Sequence, residues 1–221
     1  MTGPAGDVPI DVVTDAAVRD YVESYRAEDD VLAAARERAA GAGAAPIGAG
    51  GGAALCFLAA TIGARAVVEI STGTGVSGLW LLRGMTSDGV LTSIDIDPEQ
   101  QRSARTAFTE AGYGPSRLRL INGMALEVLP RLTDAGYDLV LVDTVRTEFP
   151  RYLDEAIRLL RPGGVVVLNN ALGRGRVADP AAADATTLAL RELIRQVRED
   201  ERLVSMLLPL GEGLLVATKI R

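Results

Sequence analysis

Three carboxylates and one glycine-rich loop carry the chemistry legible in this chain. The apolar run Ala66-Val67-Val68-Glu69-Ile70 reads as a buried strand and breaks into Ser71-Thr72-Gly73-Thr74-Gly75. A helix-like stretch follows, then a second strand over 90–96 whose acid is Asp95. Strand, glycine loop, helix, strand and acid form the first half of a nucleotide-type binding unit. Glycines let the backbone come close to a ligand, and the helix N-terminus beyond them offers unpaired N–H groups to an anion. Asp95, at the tip of the second strand, is placed to accept hydrogen bonds from a ribose diol. The third acid, Asp143, follows Leu139-Val140-Leu141-Val142 at the end of another strand. Ligands of open parallel sheets bind beyond the carboxyl ends of the strands, so Asp143 is a site candidate, with capping of a loop as the plain alternative.

Two ligand classes share this layout. Gly73-Thr74-Gly75-Val76-Ser77-Gly78 satisfies G-x-G-x-x-G, and Asp95 lies about 20 residues on, as a dinucleotide site requires. Glycine-rich chains produce that hexapeptide by chance, so Glu69 is the discriminating residue. A charge inside a strand buried on both faces is costly without a partner. Near a pyrophosphate it would repel the ligand; beside the ammonium of a methionine moiety it would attract. That favours S-adenosylmethionine over NAD.

The elements that must position these groups follow from periodicity. Val18, Tyr21, Val22 and Tyr25 recur at helical spacing, Asp29-Asp30 opens a second helix through Arg38, and Gly41-Ala42-Gly43 makes a break before Pro46. Apolar runs at 117–122, 137–143 and 164–169 predict further parallel strands, with helices near 98–112, 124–134 and 149–161 between them. Arg161-Pro162-Gly163-Gly164 reads as the stop of the last of these. A helix over about 186–199 leads into strands at 203–210 and 214–220, joined as a hairpin by Gly211-Glu212-Gly213. The expected class is α/β: a Rossmann-like sheet with helices on both faces and a C-terminal antiparallel hairpin. Residues 1–45 are expected to form an N-terminal helical extension and 46–221 the main domain. A dinucleotide fold would repeat its unit instead. A short dehydrogenase needs a Tyr and a Lys in catalytic spacing, and the only lysine is Lys219.

Composition sets limits. With 221 residues, 48% of them hydrophobic, the chain can bury one full core. Its opening MTGPAGDVPIDVV has neither a basic start nor a clean apolar stretch, so no secretory signal is expected. The longest apolar stretch, around 51–62, is too short to span a bilayer. The expected location is the cytoplasm, away from membranes. A single cysteine, Cys56, excludes an intramolecular disulfide and reads as core packing. A net charge of −6 argues against nucleic acid as a partner. Histidine is absent, which removes the commonest general base and the commonest transition-metal ligand together.

VVEISTGTG resembles the E-x-G-x-G-x-G loop of class I methyltransferases, with Ser71 in place of the first glycine. Together with SIDIDPE, NGMALEVLP, YDLVLVD and VVVLNN, it resembles the O-methyltransferases typified by the catechol and caffeoyl-CoA enzymes and their bacterial relatives, over roughly residues 30–220. The resemblance implies a seven-stranded methyltransferase sheet, S-adenosylmethionine as cofactor, a small-molecule hydroxyl acceptor of phenolic or catechol-like type, and a homodimer. It implies a cofactor site of Glu69, Ser71, Thr72, Gly73, Gly75, Ser77, Asp95, Ile96, Met124, Ala125 and Asp143, covered by Pro46-Ile47-Gly48 with Ile47 closest. The plainer readings are Ser77 as a helix cap, Ile47 and Ile96 as core and Met124 as filler. Asp143 is the implied catalytic carboxylate, with Asn169 and Asn170 beside the substrate. Tyr152 is placed either at the substrate mouth or in the core, and Gly173-Arg174-Gly175-Arg176 falls at the family's variable substrate loop, with binding of an acidic substrate group and a plain solvated loop as its two readings. Other readings are a non-catalytic S-adenosylmethionine-binding protein and an NAD-binding oxidoreductase.

Metal-dependent members of that family hold a divalent cation with an Asp at the fourth strand and an Asp-Asn pair at the fifth. Here the positions read Asp143, Asn169 and Asn170, and the family's D-A-D-K run reads Asp143-Thr144-Val145-Arg146. One carboxylate among amides suits Mg²⁺ poorly. The expectation is a site without metal; a cation, if bound, would take Asp143, Asn169 and Asn170.

Overall fold

The computed structural model describes residues 16–221. The expectation about the opening segment and the first part of the 1–45 extension lie outside the described residues. Helices α1 (Ala16–Ser24), α2 (Asp30–Gly41) and α3 (Ala49–Thr61) come first. Then β1 (Ala66–Ile70), α4 (Val76–Gly84), β2 (Val90–Asp95), α5 (Pro98–Glu110) and β3 (Leu118–Asn122) follow in alternation. The rest is α6 (Ala125–Val128), β4 (Tyr137–Val142), α7 (Phe149–Leu159), β5 (Leu160–Asn169), α8 (Ala185–Glu199), β6 (Leu203–Leu208) and β7 (Leu214–Lys219).

The strands make one seven-stranded sheet in the order β3–β2–β1–β4–β5–β7–β6. β1 to β5 pair parallel, and β7 enters antiparallel between β5 and β6. This is the expected α/β architecture with its closing antiparallel strands. Chain order reverses at β1, which pairs with β2 on one side and β4 on the other. Such a switch point opens a crevice beyond the strand ends, where ligands of this sheet class bind. Successive strand residues serve opposite faces. Val67, Leu139 and Val165 join one apolar cluster with α3, α4 and α5. Val68, Val140 and Val166 join the other with α7 and α8.

Close packing of α3 on α4 depends on two glycines. A Cβ on Gly52 would overlap the Trp80 ring, and one on Gly84 would overlap the Cys56 carbonyl. Cys56 itself is buried in that cluster. Among the described residues no helix is long and apolar enough to cross a membrane.

Several boundaries differ from the sequence reading. α7 ends at Leu159, and Arg161-Pro162-Gly163-Gly164 lies inside β5 as a bulge between the Tyr137–Leu160 and Leu139–Val165 pairs. Pro162 has no N–H for the ladder and Gly163 takes φ +79°, so the segment stops the helix and then kinks the strand. The helix expected over 124–134 is only α6 plus a 3₁₀ turn at Leu129–Arg131, since Pro130 denies the N–H that a longer helix needs. β6 stops at Leu208 before Pro209, for the same reason.

Candidate functional site

The loop after β1 turns on unusual backbone. Ser71 takes φ +76°, Gly73 φ +52° and Gly75 φ +93°. For serine the left-handed region costs about 1–2 kcal/mol, and its N–H bond to the Ile94 carbonyl, 2.8 Å, helps hold it there. The first family glycine is therefore replaced without losing the bend. Gly75 has a further constraint: a Cβ would press on Ala104 and Phe108 at 3.1–3.2 Å. Thr74 Oγ1 donates to the Ala35 carbonyl at 2.7 Å, tying the loop to α2. Gly75 is the N-cap of α4 and brings no side-chain hydrogen bond, so the first N–H groups of the helix stay available. Ser77 is not the cap.

Its hydroxyl instead donates to Glu69 Oε1 at 2.5 Å. Glu69 is fully buried, and Ser93 Oγ donates to its other oxygen at 2.5 Å. Thr72 Oγ1 lies 2.7 Å from Ser93 Oγ and completes a chain of hydroxyls beneath the loop. Burial pushes the Glu69 carboxyl up to about 7; Ser77 and Ser93 pull it down, and Asp143 and Asp95 push it further up. Glu69 lines neither of the two cavities at this loop: Ser77 links it to the loop, and the charges of Asp143 and Asp95 act on it.

Asp95 holds the glycine loop from the next strand. Its Oδ2 accepts from the Gly73 N–H at 2.9 Å and its Oδ1 from the Asp97 N–H at 2.9 Å. Each oxygen retains a lone pair for a ligand hydroxyl. Beside it opens a cavity of about 210 Å³ lined by Ile96, Met124, Ala125 and the edge of Tyr152. Ile96 is 68% exposed and Met124 54%, which sets aside the core and filler readings of these two. Tyr152 is buried in the second cluster and donates weakly to Glu148 at 3.4 Å, so it serves core and cavity wall at once.

A second cavity, about 130 Å³, is lined by Ile47, Ser71 to Thr74, Ser77 and Asp143. Ser71 lines both, so the two meet at the loop. One offers apolar walls with a carboxylate at its rim, the other hydroxyls, backbone and a carboxylate. That suits a flat base and ribose joined to a charged amino-acid end. Ile47 is buried, as its core reading has it, and also lines this cavity. Arg36 donates to its carbonyl at 2.9 Å and is paired with Glu28. Glu23 accepts from the Gly50 N–H at 2.8 Å and the Gly211 N–H at 3.0 Å, which ties α1 to α3 and to the hairpin.

Asp143 follows β4, its N–H bonded to the Ile70 carbonyl at 3.2 Å. Asn170 Nδ2 donates to its Oδ1 at 3.2 Å, and Asn169 also bonds it. Burial pushes this carboxyl above the ordinary range, while the Asn169 bond and the Arg146 charge oppose the rise and Glu212 adds to it. The amides thus act as donors to a carboxylate, and a hard cation wants one or two carboxylates plus water. Among the described residues no group of three or more His, Cys, Asp or Glu is gathered to hold a metal. One acid with two amides is a weak donor set for a divalent cation. In the glycine-rich loop, Arg174 pairs with Glu212 and Arg176 with Asp184, which anchors it to the hairpin and to α8.

Glu69, Asp95 and Asp143 thus stand at or just beyond the carboxyl ends of β1, β2 and β4, around one loop. Ser93 was missed from sequence, although a hydroxyl in the register position facing Glu69 is the signal that would have found it. Arg146 was read only as a lost lysine, yet it sits on the cleft beside Asp143.

Residues 23–220 match the family model described as O-methyltransferase. A candidate O-methyltransferase of Mycobacteroides abscessus is 50% identical over 219 residues, 99% of this chain and 100% of that protein. A probable O-methyltransferase of Mycobacterium tuberculosis is 54% identical over 199 residues, 90% of this chain and 89% of its own. Among solved structures, the O-methyltransferase TomG of Streptomyces achromogenes, involved in tomaymycin synthesis and bound to S-adenosylmethionine, superposes with a TM-score of 0.81 at 29% identity, covering 93% of this chain and 96% of that one. A Bacillus cereus O-methyltransferase bound to S-adenosylhomocysteine gives 0.82 at 26% identity, covering 94% and 99%. These likenesses span nearly the whole length of each protein compared. The chain belongs to the O-methyltransferase family, as an enzyme dependent on S-adenosylmethionine.

Proposed function

We propose that the protein methylates a hydroxyl of a small phenolic or catechol-like molecule, with Asp143 as the catalytic carboxylate and no divalent metal. The observation that carries this reading is the position of Asp143. It lines the polar cavity at the glycine loop, and it touches Asn170, which lines a neighbouring space of about 110 Å³ together with Asn169. S-adenosylmethionine supplies an electrophilic methyl group on its sulfonium. In this reading Asp95 takes the ribose diol and Ile96, Met124 and Ala125 flank the base. Ser71, Thr72, Gly73, Gly75 and Ser77 cradle the amino-acid end under Ile47, with Glu69 as the buried negative charge that favours its ammonium. The acceptor oxygen would bond to the methyl carbon as the carbon–sulfur bond breaks and S-adenosylhomocysteine leaves, and the hydroxyl proton would pass to Asp143. A carboxyl raised by burial is a stronger base than an ordinary one, and Asn169 and Asn170 fix its direction. Most of the acceleration then comes from holding oxygen and methyl in line.

The reading takes residues 46–221 as the catalytic domain and 1–45 as an extension, in a cytoplasmic homodimer that engages neither nucleic acid nor membrane. Support for assembly comes from α1, which has no buried residue and exposes Tyr21 at 71%, and from Tyr25 just after it, exposed at 81%. Light scattering at micromolar protein should give twice 23.2 kDa. The function itself is tested by calorimetry with S-adenosylhomocysteine and by screening catechols and phenols for turnover. Tight cofactor binding with no turnover on any phenol would refute the acceptor class.

A further inference from the structure

A fourth opening adjoins Ser71 and Asn170, and its chemistry is one-sided. The cleft, about 530 Å³, is lined by Ser71, Thr144, Thr147, Thr186, Asn170 and Arg146, with Val145 as its one apolar side chain. No carboxylate lines it, although acids outnumber bases in the chain, 29 to 23. Such a wall presents donors and one fixed positive charge. A neutral aromatic gains little from it, whereas an oxyanion can take a charge-assisted bond from the guanidinium and further bonds from the hydroxyls.

The state of Arg146 makes this specific. Its Nη2 pairs with Glu212 Oε2 at 3.2 Å, while its Nε is buried with no hydrogen-bond partner. A buried donor left unpaired is costly, so a turn of the guanidinium that brings Nε to an acceptor in the cleft is favoured. Glu212 would not be stranded by such an exchange, because its other oxygen is already held by Arg174 Nε at 3.2 Å. Arg146 is thus a cation with donors in reserve and a partner able to release it. The position also favours Arg over Lys: the planar fork engages a carboxylate or phosphate with two parallel bonds.

We propose that Arg146 anchors an oxyanion, a carboxylate or a phosphate, carried by the acceptor, and so makes this enzyme selective for acidic hydroxy compounds. The proposal rests on the O-methyltransferase reading for its meaning, but it concerns a binding site that can be measured without turnover. Arg146 acts by positioning: the anchored acid group swings the hydroxyl toward Asn170, which lines the cleft and is bonded to Asp143 behind it.

The test uses full-length protein saturated with S-adenosylhomocysteine, titrated by calorimetry with benzoate, phenyl phosphate and the neutral benzamide. Arg146→Met and Arg146→Lys are run beside the wild type. Benzoate or phenyl phosphate should bind at least about tenfold more tightly than benzamide, and whichever of the two binds better identifies the oxyanion. Arg146→Met should erase the preference, Arg146→Lys should restore part of it, and all three proteins should keep the same affinity for S-adenosylhomocysteine. In turnover, 3,4-dihydroxybenzoate should be preferred to its methyl ester through KM, and the preference should vanish in Arg146→Met. Equal binding of benzoate, phenyl phosphate and benzamide by the wild type overturns the proposal, as does an unchanged preference in Arg146→Met. Should Arg146→Met lose its cofactor affinity, the wild-type comparison and Arg146→Lys decide. Absence of turnover on both catechols, with the oxyanion preference intact, would refute the phenolic acceptor and leave the anion site standing.

Discussion

Replacing Glu69 by glutamine should change how stability depends on pH, in a direction fixed by the burial of that side chain. Its carboxyl is raised from 4.5 to about 7, chiefly by desolvation. Between those values the folded chain holds a proton that the unfolded chain has already lost. Stability therefore falls as pH rises from about 4.5 to about 7 and is level above, and it is greatest, for this group, on the acid side. Since one pKa unit corresponds to 1.36 kcal/mol, the loss across that window is about 3 kcal/mol. At roughly 2–4 °C per kcal/mol for a chain of this size, the melting temperature should drop by roughly 6–12 °C. Glu69→Gln removes the titration. Its amide can still accept from one of Ser77 and Ser93 and donate to the other, so the hydroxyl chain survives in altered polarity. Thermal unfolding from pH 5 to 8.5, followed by circular dichroism, isolates the effect as the difference between the two proteins. Carboxylates held low elsewhere, such as Asp138 and Asp184, act alike in both. The difference curve should slope through pH 5–7 and flatten beyond. Parallel curves would refute the assignment. Cofactor binding offers a second view: an ammonium placed near Glu69 favours its charged form, so binding at pH 7 should release up to about half a proton, and Glu69→Gln should release less.

Asp95→Ala should weaken S-adenosylhomocysteine more than about tenfold, since a hydrogen bond to a charged group is worth ~1.5–3 kcal/mol; unchanged affinity by calorimetry would remove Asp95 from the ribose site. Gly52→Ala drives a methyl group into the Trp80 ring and should cost about 1–3 kcal/mol in denaturant titration. Gly84→Ala meets the Cys56 carbonyl, a backbone atom that cannot swing away, and should cost more than Gly52→Ala does; the reverse order would contradict the α3–α4 packing. Activity should survive EDTA and gain nothing from Mg²⁺, Mn²⁺ or Ca²⁺, because Asp143 is the lone acid among Asn169 and Asn170. Full dependence on added cation would reverse that reading.

The fold was legible because its signals are local. Apolar runs of strand length, the glycines after Ile70 and the closing Gly211-Glu212-Gly213 each act over a few residues, and the sheet follows from their alternation. What misled was a signal with two meanings. Arg161-Pro162-Gly163-Gly164 does end a helix, but Pro162 and Gly163 also suit the bulge with which β5 begins, and only the pairing of Tyr137 with Leu160 separates the two. Pro130 was a plain break inside an expected helix and was underweighted.

The candidate site was legible where a residue is costly in its place. Glu69 and Asp143 stand out because a charge at the end of an apolar run needs a reason. Ser93 and Arg146 carry no such penalty: serine passes for neutral filler in a strand, and arginine is at home in any loop. Their meaning arises only when distant segments meet. Ser93 faces Glu69 across the β1–β2 register, and Arg146 reaches Glu212 on the hairpin. The cleft beside Arg146 is assembled from the turn after β1, the loop after β4, the end of β5 and the start of α8. Its lack of carboxylates is a property of that assembly and of no single stretch of chain. The cofactor end of the site rests on one contiguous loop and the two strands flanking it, so spacing exposes it. The proposed acceptor end rests on four segments brought together by folding, so the proposal for it comes from the geometry of Arg146 and not from any motif.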